Sequence, residues 1–150
     1  MAESPIDMTD QLRRWARGMY TTEAATELLI RAGNSAFASK ERPWIKPGDH
    51  GYWIDFPAIN EHLDAFSGGE QRLLRIIASI GSNESTPVRL GDVVNGLDRP
   101  TLGLVLAGVA HAGSSHQHSS LWIDRDGRAT ITREPTLYPW DGQSRQPGRV

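Results

Sequence analysis

The chain has 150 residues, 16 basic and 18 acidic, with a pI near 6.2 and no cysteine. A chain of this length fills one domain and buries a core without staples, and the missing thiols exclude disulfides, thiolate metal ligands and cysteine nucleophiles. The near-even charge balance leaves no footprint for non-specific binding to a nucleic-acid backbone, and the longest apolar stretch, near 104–107, is far short of the roughly 20 residues that span a bilayer.

At the start of the chain, Met1 to Asp10 lacks the charged-then-apolar pattern of a signal peptide, which points to a cytoplasmic protein with residues 1–8 as a disordered tail. Asp7 or Thr9 can cap a helix carrying Leu12, Trp15 and Met19. After Gly18 a second helix is expected with Ala25, Leu28, Leu29 and Ala32 near helical spacing, stopped by Gly33-Asn34. Aromatic residues then dominate 43–56, where Pro47-Gly48-Asp49-His50-Gly51 divides two short strands, 44–46 and 52–55, into a hairpin. A short helix is expected over 57–66.

The strongest local signal is Ser67-Gly68-Gly69-Glu70, a capping box that opens a helix with Leu73, Leu74, Ile77 and Ile80 on one face and ends at Gly81-Ser82-Asn83. Residues 86–90 read as a short strand, and Asp92 can cap a single turn through Val94. Asp98 caps a helix with Pro100 in its first turn that runs to about His111 and stops at Ala112-Gly113. Strand-like residues 121–124 and 129–132 flank Asp126-Gly127, a strong hairpin signal. Past Trp140 the chain has almost nothing to bury, so 141–150 is expected to be a second disordered tail of one domain spanning 1–150.

Three groups of residues can carry function. His111, His116 and His118 supply three imidazoles, enough to hold zinc with an open fourth position, although Gly113-Ser114-Ser115 makes their surroundings a polar loop. Trp44, Trp53 and Trp122 alternate with polar residues on the expected hairpins, and any of them left exposed is the residue type that anchors a partner. Arg99, Arg125 and Arg128 are the cations placed to meet a partner beside them. No arrangement of nucleophile, base and orienting group is legible, so no catalytic residue and no cofactor is assigned.

The order from Ser67 to Arg133, helix, short strand, short helix, turn, helix, hairpin, resembles the winged-helix form of the helix-turn-helix domain. The resemblance implies that 100–111 is a recognition helix and Arg125-Asp126-Gly127-Arg128 the tip of the wing, yet T-L-G-L-V-L-A-G-V-A-H offers almost no donor to a base edge. Ser67-Gly68-Gly69-Glu70-Gln71 resembles the signature motif of ABC-type ATPases, and Leu90-Gly91-Asp92 with Gly96-Leu97-Asp98 is similar to their Walker B end and D-loop. Gly91 stands where the magnesium-binding Asp belongs, and no G-x-x-x-x-G-K-[ST] loop exists in the chain, so this resemblance implies no ATPase acting alone. W-I-x-P-G-D-x-G-Y-W-I-D-F at 44–56, S-G-G-E-Q, G-L-D and the terminal Y-P-W resemble small uncharacterised proteins of actinobacteria and their phages over residues 13–140, which implies a bacterial or phage setting and no activity.

These readings combine into an α+β fold in which N-terminal helices and an aromatic β-hairpin pack on a helical, winged-helix-like C-terminal half. The expected role is a non-catalytic binding or adaptor protein whose partner is another protein or a second copy of itself, with no membrane. A winged-helix DNA-binding regulator is the first alternative, and a metal-dependent enzyme built on the three histidines is the second.

Overall fold

Ser67 accepts a hydrogen bond from the Glu70 N–H (3.3 Å) while the Glu70 carboxylate accepts one from the Ser67 N–H (3.1 Å), and the helix this box opens runs Gly68–Gly81. It is the fourth of six α-helices in a computed structural model that describes residues 7–142. All but residues 7, 8, 141 and 142 of the expected tails lie outside the described residues, and Met8 is already helical.

The α-helices are α1 (Met8–Ala16), α2 (Tyr20–Arg31), α3 (Phe56–Ile59), α4 (Gly68–Gly81), α5 (Leu90–Val94) and α6 (Arg99–Ala112). The strands form two antiparallel hairpins, β1 (Ile45–Gly48) with β2 (Gly51–Ile54) and β3 (Ser119–Ile123) with β4 (Ala129–Arg133). Together they make the α+β fold that the alternation of patterns implied. Among the described residues no helix is long and apolar enough to cross a membrane.

α2 is the centre of the fold, packed against both α4 and α6, which also touch each other. Its Ala24, Ala25, Leu28 and Leu29 are buried, as are Leu74, Ile77 and Ala78 of α4 and Val105 and Ala107 of α6. Small residues let these helices approach closely: at Gly108 of α6 an added Cβ would meet Leu28, and at Gly81 of α4 it would meet the Phe56 ring. The Asp98 carboxylate caps α6 by accepting from the Thr101 N–H (2.8 Å), with Pro100 in the first turn as expected.

The first hairpin pairs Ile45 with Ile54 and Gly48 with Gly51 across a tight turn at Asp49-His50, and it rests on α1. Three expectations are corrected. Residues 86–89 form no strand, because Pro87 has no N–H to give and the Thr86 N–H is taken by Asn60 Oδ1 (3.1 Å). The helix expected over 57–66 is one turn, α3, followed by bends. Met19 does not continue the first helix but precedes α2 as its N-cap, since Gly18 at φ +107° breaks the chain there. From Ser67 onward the elements run α4, α5, α6 and the second hairpin, with no strand over 86–89.

Candidate functional site

The polar face of α2 is written at i, i+4 spacing as Glu23, Glu27 and Arg31, on a helix whose other face is aliphatic. α1 lays Arg13 across it. The Glu27 carboxylate thereby accepts from both Arg13 Nε (2.5 Å) and Arg31 Nε (2.8 Å). Burial opposes the charge on Glu27, but the two guanidiniums outweigh it and hold the carboxyl below its usual range.

Glu23, one turn earlier, is engaged on both oxygens. One accepts from the Gly18 N–H (2.8 Å), and the other from Nε2 of His111 on α6 (2.8 Å). Burial again opposes ionisation, while the Gly18 N–H and His111 overcome it, so Glu23 also stays below the ordinary carboxylate range.

The chain reverses directly after α6. Gly113 ends the helix, Ser114 takes a left-handed conformation at φ +59°, and a single 3₁₀ turn, Ser115–Gln117, brings His116 back over His111. The two rings stack, 4.1 Å between centroids and 10° apart in plane, and Tyr20 meets His116 edge-on at 4.8 Å. Burial first, and the neighbouring His111 second, hold His116 below the usual histidine range.

The segment after β4 closes the remaining side. Ser115 is buried and its hydroxyl pairs with Thr136 (2.9 Å) and accepts from the Leu137 N–H (3.2 Å). Trp140 is buried under the Arg31 guanidinium, 5.2 Å from the ring centroid, and Arg31 also donates to the Asp141 carbonyl (3.0 Å). Between α1, α2, α6 and this segment lies a cleft of about 340 Å³.

Of the three histidines proposed as a metal set, the structure joins two and separates the third. His118 lies exposed at the head of β3, where its carbonyl accepts from the Glu134 N–H. A metal binds in the plane of an imidazole, and two parallel rings about 4 Å apart cannot aim their lone pairs at one ion. Among the described residues no group of three His, Asp or Glu side chains is placed to hold a metal.

The proposed partner anchors divide in the same way. Trp44 is corrected: it is fully buried, its Nε1 donating to the Phe37 carbonyl (2.7 Å), because the first hairpin is covered by α1 and by Phe37 and Phe66. Trp53 is at the surface beside Trp15, and Arg99 is exposed at the first turn of α6. Arg125 and Arg128 are exposed at the tip of the second hairpin, where Asp124 binds the N–H groups of Asp126 and Arg128.

The second hairpin is the largest departure from a covered surface. Leu121 faces Ile131 and Ile123 faces Ala129 across the strands, so all four share one side of the ribbon while Trp122 and Thr130 share the other. Leu121, Ile123 and Ile131 are 63–75% exposed and Trp122 68%. Composition placed these residues on strands but could not say which face has a cover.

Arg13, Glu23, Thr26, Glu27, Arg31 and Trp140 went unassigned in the sequence, although the i, i+4 charges of α2 opposite a largely apolar face were a legible signal. Comparison with known proteins adds nothing to these residues: no family, no curated protein and no solved structure matches the chain.

Proposed function

We propose that the protein is a non-catalytic, self-associating binding module, and that the apolar side of the second hairpin is where a second copy docks. The observation that carries this reading is the unpartnered side formed by the Leu121–Ile131 and Ile123–Ala129 pairs. A two-stranded ribbon is marginal in water by itself and needs a third strand or a packed face. Among the described residues, no other helix or strand lies against this hairpin to any substantial extent.

A second copy fits this surface better than an unlike partner. The side is aliphatic and bare of acidic residues, with Arg133 and Ser119 only at its end, so it can complement itself under a two-fold rotation. Burying a large aliphatic side chain is worth about 1.5–3 kcal/mol, and three per copy, part-buried already, supply on the order of 10 kcal/mol against an association cost of about 4–15 kcal/mol. Set against the low end of that cost, at most about 6 kcal/mol remains, a dimer with a dissociation constant of roughly tens of micromolar.

A DNA-reading function would ask for donors on the open face of α6. That face carries Leu102, Leu106 and Val109.

Sedimentation equilibrium tests the proposal. Wild-type protein should dimerise at concentrations up to about 100 µM, and Leu121→Asp with Ile131→Asp should be monomeric with an unchanged far-ultraviolet dichroism spectrum. A monomeric wild type, or a variant that still dimerises, overturns it.

A further inference from the structure

We infer that the cleft between α1, α2 and α6 binds a small organic oxyanion carrying a planar ring. Four observations meet there. Its volume, about 340 Å³, lies within the usual range for small-molecule sites. Two residues that line it each carry a buried polar atom with no hydrogen-bond partner among the described residues: Oγ1 of Thr26, a residue 1% exposed, and Nδ1 of His116. Native proteins leave few such atoms unsatisfied, and a pair of them on one cleft is the pattern of a site built for a ligand's oxygens.

Charge selects the ligand's sign. Arg13, Arg17 and Arg31 line the cleft against two carboxylates, Glu23 and Glu27. Both carboxylates already have their donors, Glu27 from Arg13 and Arg31 and Glu23 from Gly18 and His111, so neither asks for a cation. Arg17, at the end of α1, makes no ion pair among the described residues and supplies the surplus positive charge. A guanidinium fork matches a carboxylate or a phosphate, and the Thr26 hydroxyl adds a neutral donor.

Shape selects the ring. Trp140 and His111 line the cleft with ring centroids 6.2 Å apart and planes tilted by 47°, an aromatic corner rather than a slot, with His116 stacked on His111 and Tyr138 beside them. Flat side chains of this kind pack best on a planar ligand body.

The site is independent of the hairpin, so its test is separable from that of self-association: Leu121→Asp should leave it intact. Titration followed by the Trp140 indole N–H resonance uses benzoate as probe, with benzamide as the uncharged isostere and inorganic phosphate as the ringless anion. Benzoate should saturate, benzamide and phosphate should each be at least about tenfold weaker, Arg17→Gln should weaken benzoate about tenfold and Thr26→Val about fivefold. Arg17 is exposed and its variant keeps the fold, while Thr26→Val removes a hydroxyl that has no partner and should melt no lower than wild type. No saturation by benzoate at tens of millimolar overturns the inference, as does equal affinity in both variants. Benzamide binding as well as benzoate would remove the anion from it, and phosphate binding as well would remove the ring.

Discussion

A Cβ placed on Gly108 of α6 would stand 2.6 Å from Cδ1 of Leu28 on α2, well inside any real contact distance. In the same helix, a Cβ on Gly103 would meet only the Tyr138 hydroxyl at an ordinary 3.6 Å. Alanine is the better helix former by about 1 kcal/mol, and forcing a methyl into a packed interface costs about 1–3 kcal/mol. Gly103→Ala should therefore stabilise the protein by a few tenths to about 1 kcal/mol, and Gly108→Ala, where the clash offsets the helix gain, should destabilise it by up to about 2 kcal/mol. Urea denaturation of the two variants reads the difference, and equal effects would show that α2 and α6 are not in contact at Gly108.

α6 is apolar on most of its circumference, yet its two sides should respond oppositely to charge. Val105 is 2% exposed and Val109 53%. Val105→Asp forces an unpaired carboxylate into the α2–α6 contact and should cost more than about 3 kcal/mol, enough to unfold much of the population. Val109→Asp sits in solvent near the negative end of the helix dipole and should cost no more than about 1 kcal/mol. Thermal melts separate these outcomes.

Acid should weaken the fold in two stages. The proton affinity of His116, which stacks on His111 and feels the charges of Glu23, Arg133 and His118, is lower folded than unfolded. Below the usual histidine range, near pH 6.5, the unfolded chain therefore binds the extra proton, and stability falls as pH drops towards 5, with a slope of at most about 1.4 kcal/mol per pH unit from this one group. Glu23 and Glu27 are shifted down in the fold, so their contribution is complete above the ordinary carboxylate range and is lost as pH falls through their lower folded values. His116→Gln should abolish the first stage and keep the second. Glu27→Gln should cost about 1–2 kcal/mol at pH 7, and the difference should shrink as pH falls through the lowered folded value and the wild-type carboxyl takes up its proton.

Zinc should not raise the melting temperature. A site occupied at one hundred times its dissociation constant would add about 2.7 kcal/mol, a shift of several degrees in a chain of this size. The parallel rings of His111 and His116 offer no shared vertex, and His118 is outside their stack. Replacing His118 with Ala should leave the melt within about 0.5 kcal/mol of wild type, with or without zinc.

What could be read in the chain beforehand was what its neighbours along the chain determine. The Ser67–Glu70 box, the Asp98 cap with Pro100, and the turns at Asp49-His50 and Asp126-Gly127 each depend on a few consecutive residues, and each formed as its residues dictate. The strand expected at 86–90 failed because a strand needs a second strand, which no local pattern guarantees. Trp44 and Trp122 carry the same alternating signature, and only the packing of distant segments decides that one is sealed and the other bare. Glu23 and His111 meet across 88 positions, a pairing that depends on the close approach of α2 and α6. His111 and His116 were legible as neighbours in sequence, but their stack depends on the left-handed Ser114, a conformation serine seldom adopts.

The graded burial of the five tryptophans gives the molecule its own set of optical reporters. Trp44, enclosed with its N–H bonded to a carbonyl, should emit to the blue and resist a dissolved quencher until the whole core melts. Trp122, on the bare ribbon, should emit to the red and be quenched at every collision; Trp140, under Arg31 at the cleft wall, should change when something enters beside it. Single-tryptophan variants keeping one of these three would let one cuvette distinguish unfolding, ribbon contact and cleft occupancy by colour and quenching alone.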